Sequence, residues 1–243
     1  MPEQLLFTKF LNHYLGAPTT FFLRHIGIQP LYPDAPINNT VAMEVVVVLL
    51  VIAFFLLVRA RMSVQSPGGL QHTVEILDEF LNEQADQVIG HDYQRYVPFV
   101  TALGFFILVG NLLGLIPGFE SPTASPEVPL GCALATFFYY HFHGIRQNGV
   151  HYIKQFLGPV GALAWLMLPI ELVSHLARVL SLTVRLFANM FAGDMVTLAF
   201  FSLVPVLIPV AFLGLHLGVA VVQTFIFVML TMVYIGMAVS EEH

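Results

Sequence analysis

The sequence reads PVGALAWLMLPIELVSHLARVLSLTVRLFANMFAGDMVTLAFFSL from Pro159 to Leu203, and we base the predicted architecture on this apolar stretch. As one α-helix it would be about 68 Å long, at about 1.5 Å per residue, whereas the hydrocarbon core of a bilayer is about 30 Å thick. Neither Gly nor Pro occurs between Glu171 and Ala192, so no sharp turn is expected there. We therefore predict one long, strongly tilted membrane helix.

The composition of the whole chain indicates an all-α integral membrane protein. Of its 243 residues, 57% are hydrophobic and 10% are charged, whereas soluble domains contain about 25% charged residues. Each span needs about 20 residues, so little remains for a separate soluble domain. The net charge of −6, without a basic cluster, argues against nucleic acid as a partner. Cys132 is the only cysteine, which excludes an intrachain disulfide.

Five apolar segments are predicted to cross the membrane, and all five lie after an N-terminal segment of 39 residues. The spans are residues 40–58, 97–116, 130–143, 159–203 and 209–239. Residues 1–39 alternate short apolar pieces with prolines, so we expect an N-terminal segment on the outer side rather than a span. Residues 40–243 then form one membrane domain.

A surface helix is predicted at about residues 70–89, between the first two spans. Apolar residues recur there at helical spacing, as at Leu70, Val74 and Leu77. The opposite face carries only acids: Glu75, Asp78, Glu79, Glu83 and Asp86. We interpret it as a solvated face, with docking on a basic partner protein as the alternative. The absence of Lys and Arg disfavours binding to anionic lipid headgroups.

The distribution of Lys and Arg predicts the orientation, because these residues stay on the cytoplasmic side. With the N-terminus outside, the inner loops contain Arg59, Arg61, Arg95, Arg146 and Lys154. Only Lys9 and Arg24 then lie outside, and the C-terminus is cytoplasmic. No organelle presequence is recognised, so we expect a bacterial plasma membrane.

Two arginines, Arg178 and Arg185, remain within the long apolar stretch. An arginine at mid-bilayer costs about 2.5 to 3.5 kcal/mol on insertion scales, so such residues normally face water or a partner. At about 100° per residue, Glu171, Arg178 and Arg185 lie within about 40° on one helix face, and Asn189 lies one turn beyond. Asp194 is rotated by about 180° from Arg185 and cannot be its partner on the same helix.

A polar stripe is predicted along the last span. His216, Gln223 and Tyr234 fall within about 20° of one another on a helix. Histidine exchanges protons near neutral pH, and Gln and Tyr hold water by hydrogen bonds. We interpret the stripe as part of an aqueous path, with interhelical hydrogen bonding as the alternative.

The run LSLTVRLFANMFAGD at residues 180–194 resembles the signature of subunit a of the F-type ATP synthases. Further resemblance lies in GNLLGLIPG at residues 110–118, QTFIFVMLTMVYI at 223–235 and SEEH at 240–243, so it covers about residues 40–243. Arg185 occupies the position of the family's essential arginine. Asp194 replaces a Glu found in many bacterial relatives, which preserves the charge. The resemblance implies two long, tilted C-terminal helices that lie along a rotor.

The resemblance also implies a function and a set of site residues. Such a subunit is a proton-translocating stator of the membrane Fo sector and is not catalytic on its own. Its two offset half-channels and its arginine, which deprotonates rotor carboxylates, couple proton flow to rotation and ATP synthesis. The implied outer half-channel contains Asp194, His216 and Gln223, and the inner one Glu171 and Ser174, with Asn189 beside Arg185. The implied partners are a ring of c subunits, b-type peripheral stalk subunits, the rest of the F1Fo complex and the lipid bilayer.

Other classes of protein explain the sequence less well. A secondary transporter or a channel working alone also places charges at mid-membrane, but it gives no reason for an arginine on a tilted face. An intramembrane aspartyl hydrolase needs two neighbouring carboxylates, and Asp194 has none nearby in sequence. His141 and His143 lie at i and i+2, which diverge on a helix, so we assign them an interfacial role and expect no metal or cofactor.

Overall fold

The computed structural model describes residues 4–240, apart from residues 26, 28–31, 33–34, 64–67, 117, 150–151, 153–163 and 204–206. Seven α-helices form within these described residues. They are α1 (Leu6–His25), α2 (Asn39–Arg61), α3 (Gly69–Ile89), α4 (Val97–Leu113), α5 (Glu127–Asn148), α6 (Ala164–Leu203) and α7 (Leu207–Val239). Two short 3₁₀ turns, Tyr93–Arg95 and Pro122–Ala124, precede α4 and α5. The predicted all-α fold is confirmed.

Each of the five predicted spans overlaps a helix, in order α2, α4, α5, α6 and α7, but residues 114–116 lie beyond the end of α4 and residues 159–163 lie outside the described residues. Among the described residues, three helical segments are long and apolar enough to cross a membrane, Asn39–Arg61, Trp165–Phe200 and Val210–Val239, and Val97–Leu113 is a shorter apolar helix. The helix predicted at residues 130–143 is longer than expected, since α5 has 22 residues. The added residues, 127–129 and 144–148, include Glu127, Arg146 and Gln147, so they do not continue the apolar run.

Helix α6 is continuous over its 40 residues. Pro169 lies inside it near the N-terminal end, and no break follows between Glu171 and Ala192, as predicted. Residues 159–163 lie outside the described residues. At about 60 Å, α6 fits within a hydrocarbon core of about 30 Å only if it is strongly tilted. The single long helix expected from the sequence is therefore confirmed.

The N-terminal segment contains a helix that the sequence pattern did not predict. Helix α1 has 20 residues and includes Pro18 in its interior. It is held to the start of α2 because the Asn12 side chain donates to the Ile37 carbonyl (2.9 Å) and accepts from the Ile37 amide (3.0 Å). Leu11 packs in the same place, in an apolar cluster with Ile37, Met43 and Leu113. Tertiary contacts of this kind outweigh the helix-breaking tendency of a proline.

The core of the molecule is the antiparallel pair α6 and α7, against which α3, α4 and α5 pack. One apolar cluster joins α4, α5, α6 and α7 through residues such as Ile107, Ala133, Leu186 and Phe227. Helix α3 covers the far end of α7, where Val88 O would lie only 2.7 Å from a Cβ at Gly236. Its five acids are all exposed, which is compatible with both interpretations of that face.

Candidate functional site

Polar side chains of α6 and α7 face each other at three levels along the helix pair. The carboxylate Oδ1 of Asp194 lies 3.8 Å from Nδ1 of His216, Asn189 Nδ2 donates to Gln223 Oε1 (2.8 Å), and the Arg178 guanidinium lies 5.4 Å from the centre of the Tyr234 ring. These pairs follow from the antiparallel packing of two helices that each carry a polar stripe. The stripe predicted on α7 therefore faces the polar residues of α6.

We call the first group the Asp194 site, formed by Asn189, Asp194, His216 and Gln223. His216 and Gln223 are only 3% and 2% exposed. His216 reaches α6 because residue 193 is glycine, where a Cβ would lie 2.9 Å from His216 Nε2. A cavity of about 220 Å³ adjoins His216 and is lined in part by Asn189, Thr197 and Phe212. Such a volume holds several water molecules beside the buried imidazole of His216.

The imidazole of His216 has a nitrogen that is not satisfied by the protein. Its Nε2 is buried and has no hydrogen-bond partner among the residues that the structure describes. A buried polar atom without a partner costs free energy unless water fills that role. The orphan nitrogen and the adjoining cavity together indicate that the Asp194 site is hydrated.

A second group, which we call the Glu171 site, lies toward the other end of the helix pair. It contains Tyr140 and His141 of α5, Glu171, His175 and Arg178 of α6, Tyr234 of α7, and Tyr152. Nε2 of His175 lies 3.4 Å from Oε1 of Glu171, and Nδ1 of the same ring lies 2.9 Å from Tyr140 Oη. A small cavity of about 50 Å³ lies between these side chains. The site therefore combines a carboxylate, two imidazoles and room for water.

Arg185 lies between the two sites on α6. It is nine residues from Asp194 and fourteen from Glu171, or about 14 Å and 21 Å along the helix. Its Nη2 donates to Ser181 Oγ at 3.1 Å, one turn earlier. Within the described part of the chain, no carboxylate lies within 4 Å of its guanidinium, since both ion pairs found there involve histidines. The side chain is half-buried.

An apolar layer separates the two sites inside the helix bundle. Leu182 and Leu186 of α6 and Phe227 of α7 are at most 2% exposed and belong to one cluster. Phe227 lies on α7 between Gln223 and Tyr234, at the level of Arg185 on α6. The direct internal route from the Asp194 site to the Glu171 site is therefore filled by side chains that do not hold water.

Comparison with known proteins assigns the family. The sequence profile described as ATP synthase A chain matches residues 41–236. This chain belongs to the ATP synthase A chain family. ATP synthase subunit a of Koribacter versatilis (strain Ellin345) is 53% identical to it over 244 residues, and the match covers 100% of both chains. The subunit a of Solibacter usitatus (strain Ellin6076) is 47% identical, over 96% of this chain and 100% of the relative.

The family assignment extends across a wider range of bacteria at lower identity. ATP synthase subunit a 1 of Syntrophotalea carbinolica (strain DSM 2380 / NBRC 103641 / GraBd1) is 41% identical over 100% of both chains. The resemblance recognised at residues 180–194 is thereby confirmed. The whole chain matches, including the N-terminal residues that lie outside the recognised motifs.

The residues predicted for the proton path fall into two groups in this family member. Asn189, Asp194, His216 and Gln223 come together, and Glu171 lies in the other site. Ser174 is different, because its hydroxyl donates to the Ile170 carbonyl of its own helix (2.9 Å) and it does not line the cavity beside Glu171. On a helix, residue 174 is rotated by about 60° from residue 171, whereas residue 175 is rotated by about 40° to the other side.

The sequence interpretation missed several members of the Glu171 site. His175 was not selected, although its i, i+4 spacing from Glu171 signals proximity on a helix. His141 was given an interfacial role, but its Nδ1 lies 2.7 Å from Tyr152 Oη and its ring lies 4.7 Å from that of His175. No group of three His, Cys, Asp or Glu suited to a metal ion occurs in the described parts of the chain.

A buried polar network between α4 and α7 was also missed. Asn111 Nδ2 donates to the Ala220 carbonyl and to Thr224 Oγ1 (both 3.3 Å), and Thr123 Oγ1 donates to Asn111 Oδ1 (2.6 Å). Asn111 lies in the GNLLGLIPG run, which was used only as a family signal. The network fixes α7 beside the Pro122–Ala124 turn, which in turn packs on α6. It thus holds the helix that carries His216 and Gln223.

Proposed function

We propose that this chain is the proton-translocating stator subunit of the membrane sector of an ATP synthase and is not catalytic on its own. Family membership supports this role. The observation that carries the mechanism is the position of Arg185, between two polar sites that each adjoin a cavity and without a carboxylate partner among the described residues. A charge left unpaired at this depth is stabilised by a partner outside the chain.

The surface around Arg185 suits a closely packed helix of a rotor. Ser181, Ala188 and Ala192 are exposed and share the face of α6 that carries Arg185. Small residues allow two membrane helices to approach closely. A rotor helix packed on this face brings its carboxylate next to the guanidinium. The proposed partners are accordingly a ring of c subunits, with b-type stalk subunits and the rest of the F1Fo complex holding the stator.

The chemistry of Arg185 follows from its permanent charge. A guanidinium within about 4 to 6 Å of a carboxylate favours the charged form, so a rotor carboxylate that reaches Arg185 releases its proton. The guanidinium itself does not lose a proton at any relevant pH, and so it cannot relay one. Arg185 therefore forces deprotonation while blocking direct proton passage along the subunit interface.

The two polar sites are the proposed half-channels. With the N-terminus outside and the C-terminus cytoplasmic in a bacterial plasma membrane, the Asp194 site opens to the outside, and the Glu171 site, with Ser174 nearby, opens to the inside. A proton enters through Asp194, His216 and Gln223, neutralises a rotor carboxylate, and travels with the ring. It leaves past Glu171 after Arg185 has displaced it. The apolar layer prevents a direct shortcut between the half-channels.

Replacing Arg185 tests this mechanism in the complete ATP synthase reconstituted in vesicles. In Arg185→Ala, we expect ATP-driven proton pumping to fall by at least about a hundredfold, because the group that deprotonates the rotor is gone. Passive proton conductance should rise, because the charge that blocks the interface is also lost. Arg146→Ala, which removes an exposed cation from the end of α5, is the matched control and should pump normally.

Pumping and conductance are expressed per assembled complex, and the amount of assembled complex is measured from the c subunits that co-purify with this chain. Coupled pumping retained by Arg185→Ala would exclude the proposed mechanism. A loss of pumping in both Arg185→Ala and Arg146→Ala would point to a general loss of positive charge rather than to the position of Arg185.

A further inference from the structure

The imidazole of His175 is held from both sides by groups that exchange protons. Its Nε2 faces Glu171 Oε1 at 3.4 Å and its Nδ1 faces Tyr140 Oη at 2.9 Å. The side chain is 9% exposed, so bulk water does not reach it freely. Both ring nitrogens are therefore engaged inside the Glu171 site, and a proton that arrives at Glu171 lies one hydrogen bond from the ring.

The cavity beside His175 provides the next proton acceptor. Its volume of about 50 Å³ accommodates one or two water molecules. It is lined by Tyr140, Tyr152, Glu171, His175, Arg178, Tyr234, Met237 and Ala238. Most of these side chains bear a polar group, which favours water over an empty space. A connected set of carboxylate, imidazole and water thus lies on the inner side of the proposed path.

We infer that His175 is a proton-carrying residue of the inner half-channel, working with Glu171; this inference rests on the proposed function. The protonated Glu171 carboxyl gives its proton to Nε2 of the neutral imidazole, which leaves a carboxylate and an imidazolium. The imidazolium then gives one proton to a water molecule in the cavity and becomes neutral again. No other bond forms or breaks.

The groups that face His175 suit this exchange. From α6 these are Glu171 and Arg178, from α5 Tyr140 and His141, from α7 Tyr234, and Tyr152 completes the set. The Glu171 carboxylate stabilises the imidazolium, whereas the Arg178 guanidinium destabilises it. The ring can therefore both take up a proton and release it. Tyr140 is a positioning residue, because its hydroxyl accepts a hydrogen bond from Nδ1–H both in the neutral tautomer that takes a proton at Nε2 and in the charged ring.

A purely structural role for His175 makes a different prediction. In that case the Tyr140 contact would only join α5 to α6, and any residue that keeps a hydrogen bond there would suffice. His175→Gln separates the two roles, since glutamine hydrogen-bonds to Tyr140 but does not titrate. Tyr140→Phe does the converse, because it removes the hydroxyl and leaves the imidazole beside Glu171.

The experiment uses the complete ATP synthase in vesicles with its cytoplasmic side facing the bath. ATP-driven pumping is measured from about pH 6 to pH 8 in the bath and expressed relative to the wild type, per assembled complex. We expect His175→Gln to pump at least about a hundredfold more slowly, the lower end of the loss on removing a general acid or base, by a factor that varies with bath pH. Tyr140→Phe should lose less and keep the wild-type pH profile.

The matched control is His143→Gln, because His143 lies on α5 outside the cavity and its Nδ1 contacts the Tyr139 carbonyl (3.0 Å). It should pump like the wild type. Pumping by His175→Gln within about twofold of the wild type at every pH would overturn the inference, as would a loss that is explained by poor assembly alone. If the proposed function itself is wrong, Arg185→Ala also retains coupled pumping. If only the inference about His175 is wrong, Arg185→Ala loses pumping while His175→Gln retains it.

Discussion

The close approach of His216 to α6 depends on the absence of one side chain, at Gly193. A Cβ at residue 193 would lie 2.9 to 3.0 Å from three atoms of the His216 ring, all closer than ordinary contact distances. We therefore expect Gly193→Ala to push the ring away from Asp194 and to lower ATP-driven pumping by at least about tenfold, since shifts of about 1 Å at such sites have effects of this order or larger.

Gly218→Ala is the matched control for this change. Gly218 lies on α7 close to His216, and no heavy atom lies within 4 Å of its would-be Cβ. The control should pump at the wild-type rate. Equal pumping by Gly193→Ala and Gly218→Ala would show that the distance between His216 and Asp194 is unimportant for proton entry.

Single side chains also show which of the predicted site residues lie together in the structure. Asn189, Asp194, His216 and Gln223 were selected by polarity and family position, and the packing brings all four together. His175 was missed although its i, i+4 spacing places it on the same face of α6 as Glu171. Its second contact, with Tyr140, joins residues 35 apart in the chain, and no periodicity within α5 or α6 reports that contact.

Between secondary-structure elements, the apolar layer of α6 and α7 is the feature with the clearest functional consequence. Phe227 is 1% exposed and fills the space between the two polar sites. Phe227→Ser removes the ring and adds a hydroxyl, which makes a cavity that water can enter. We expect passive proton conductance of the reconstituted complex to rise by at least about tenfold, because a dewetted apolar barrier becomes hydrated.

Phe138→Ser serves as the control for that change, because Phe138 lies on α5 and is 65% exposed. Its conductance should match that of the wild type. If Phe227→Ser remains proton-tight while it assembles normally, the separation of the two half-channels does not depend on this layer, and Arg185 alone would have to provide it.

For the molecule as a whole, the orientation in the membrane is the property that gives the two sites their direction. Lys9 and Ser240 are exposed near opposite ends of the chain. We expect a membrane-impermeant maleimide to label Ser240→Cys only from the cytoplasmic side and Lys9→Cys only from the outside, because the excess of Lys and Arg in the inner loops sets the topology.

The unaltered chain is the control for labelling, because its Cys132 is buried and should remain unlabelled from both sides. Labelling of both introduced cysteines from the same side would place the termini together and contradict the odd number of spans. If Ser240→Cys is labelled only from the outside and Lys9→Cys only from the cytoplasmic side, the roles assigned to the Asp194 and Glu171 sites are reversed.

Helices that depend on local sequence were predictable, whereas a helix that depends on contacts with distant residues was not. The helices α2, α6 and α7 were predicted because apolar runs longer than about 20 residues leave a membrane chain few other structures. Helix α1 was not, because the prolines and short apolar pieces of residues 1–39 indicate a loop, whereas the structure ties Asn12 to the backbone at Ile37. Helix α4 ends three residues earlier than predicted, and α5 extends beyond its predicted bounds at both ends.

Hydropathy, helical periodicity and one family motif established, from the chain alone, an all-helical membrane protein with an arginine at its centre, since these signals act within single helices. The grouping of polar residues into two sites, the apolar layer between them and the contacts of His175 depended on how α5, α6 and α7 pack. Those contacts join residues far apart in the chain. Their geometry is determined by side-chain volume and burial across the whole bundle, which no local pattern encodes.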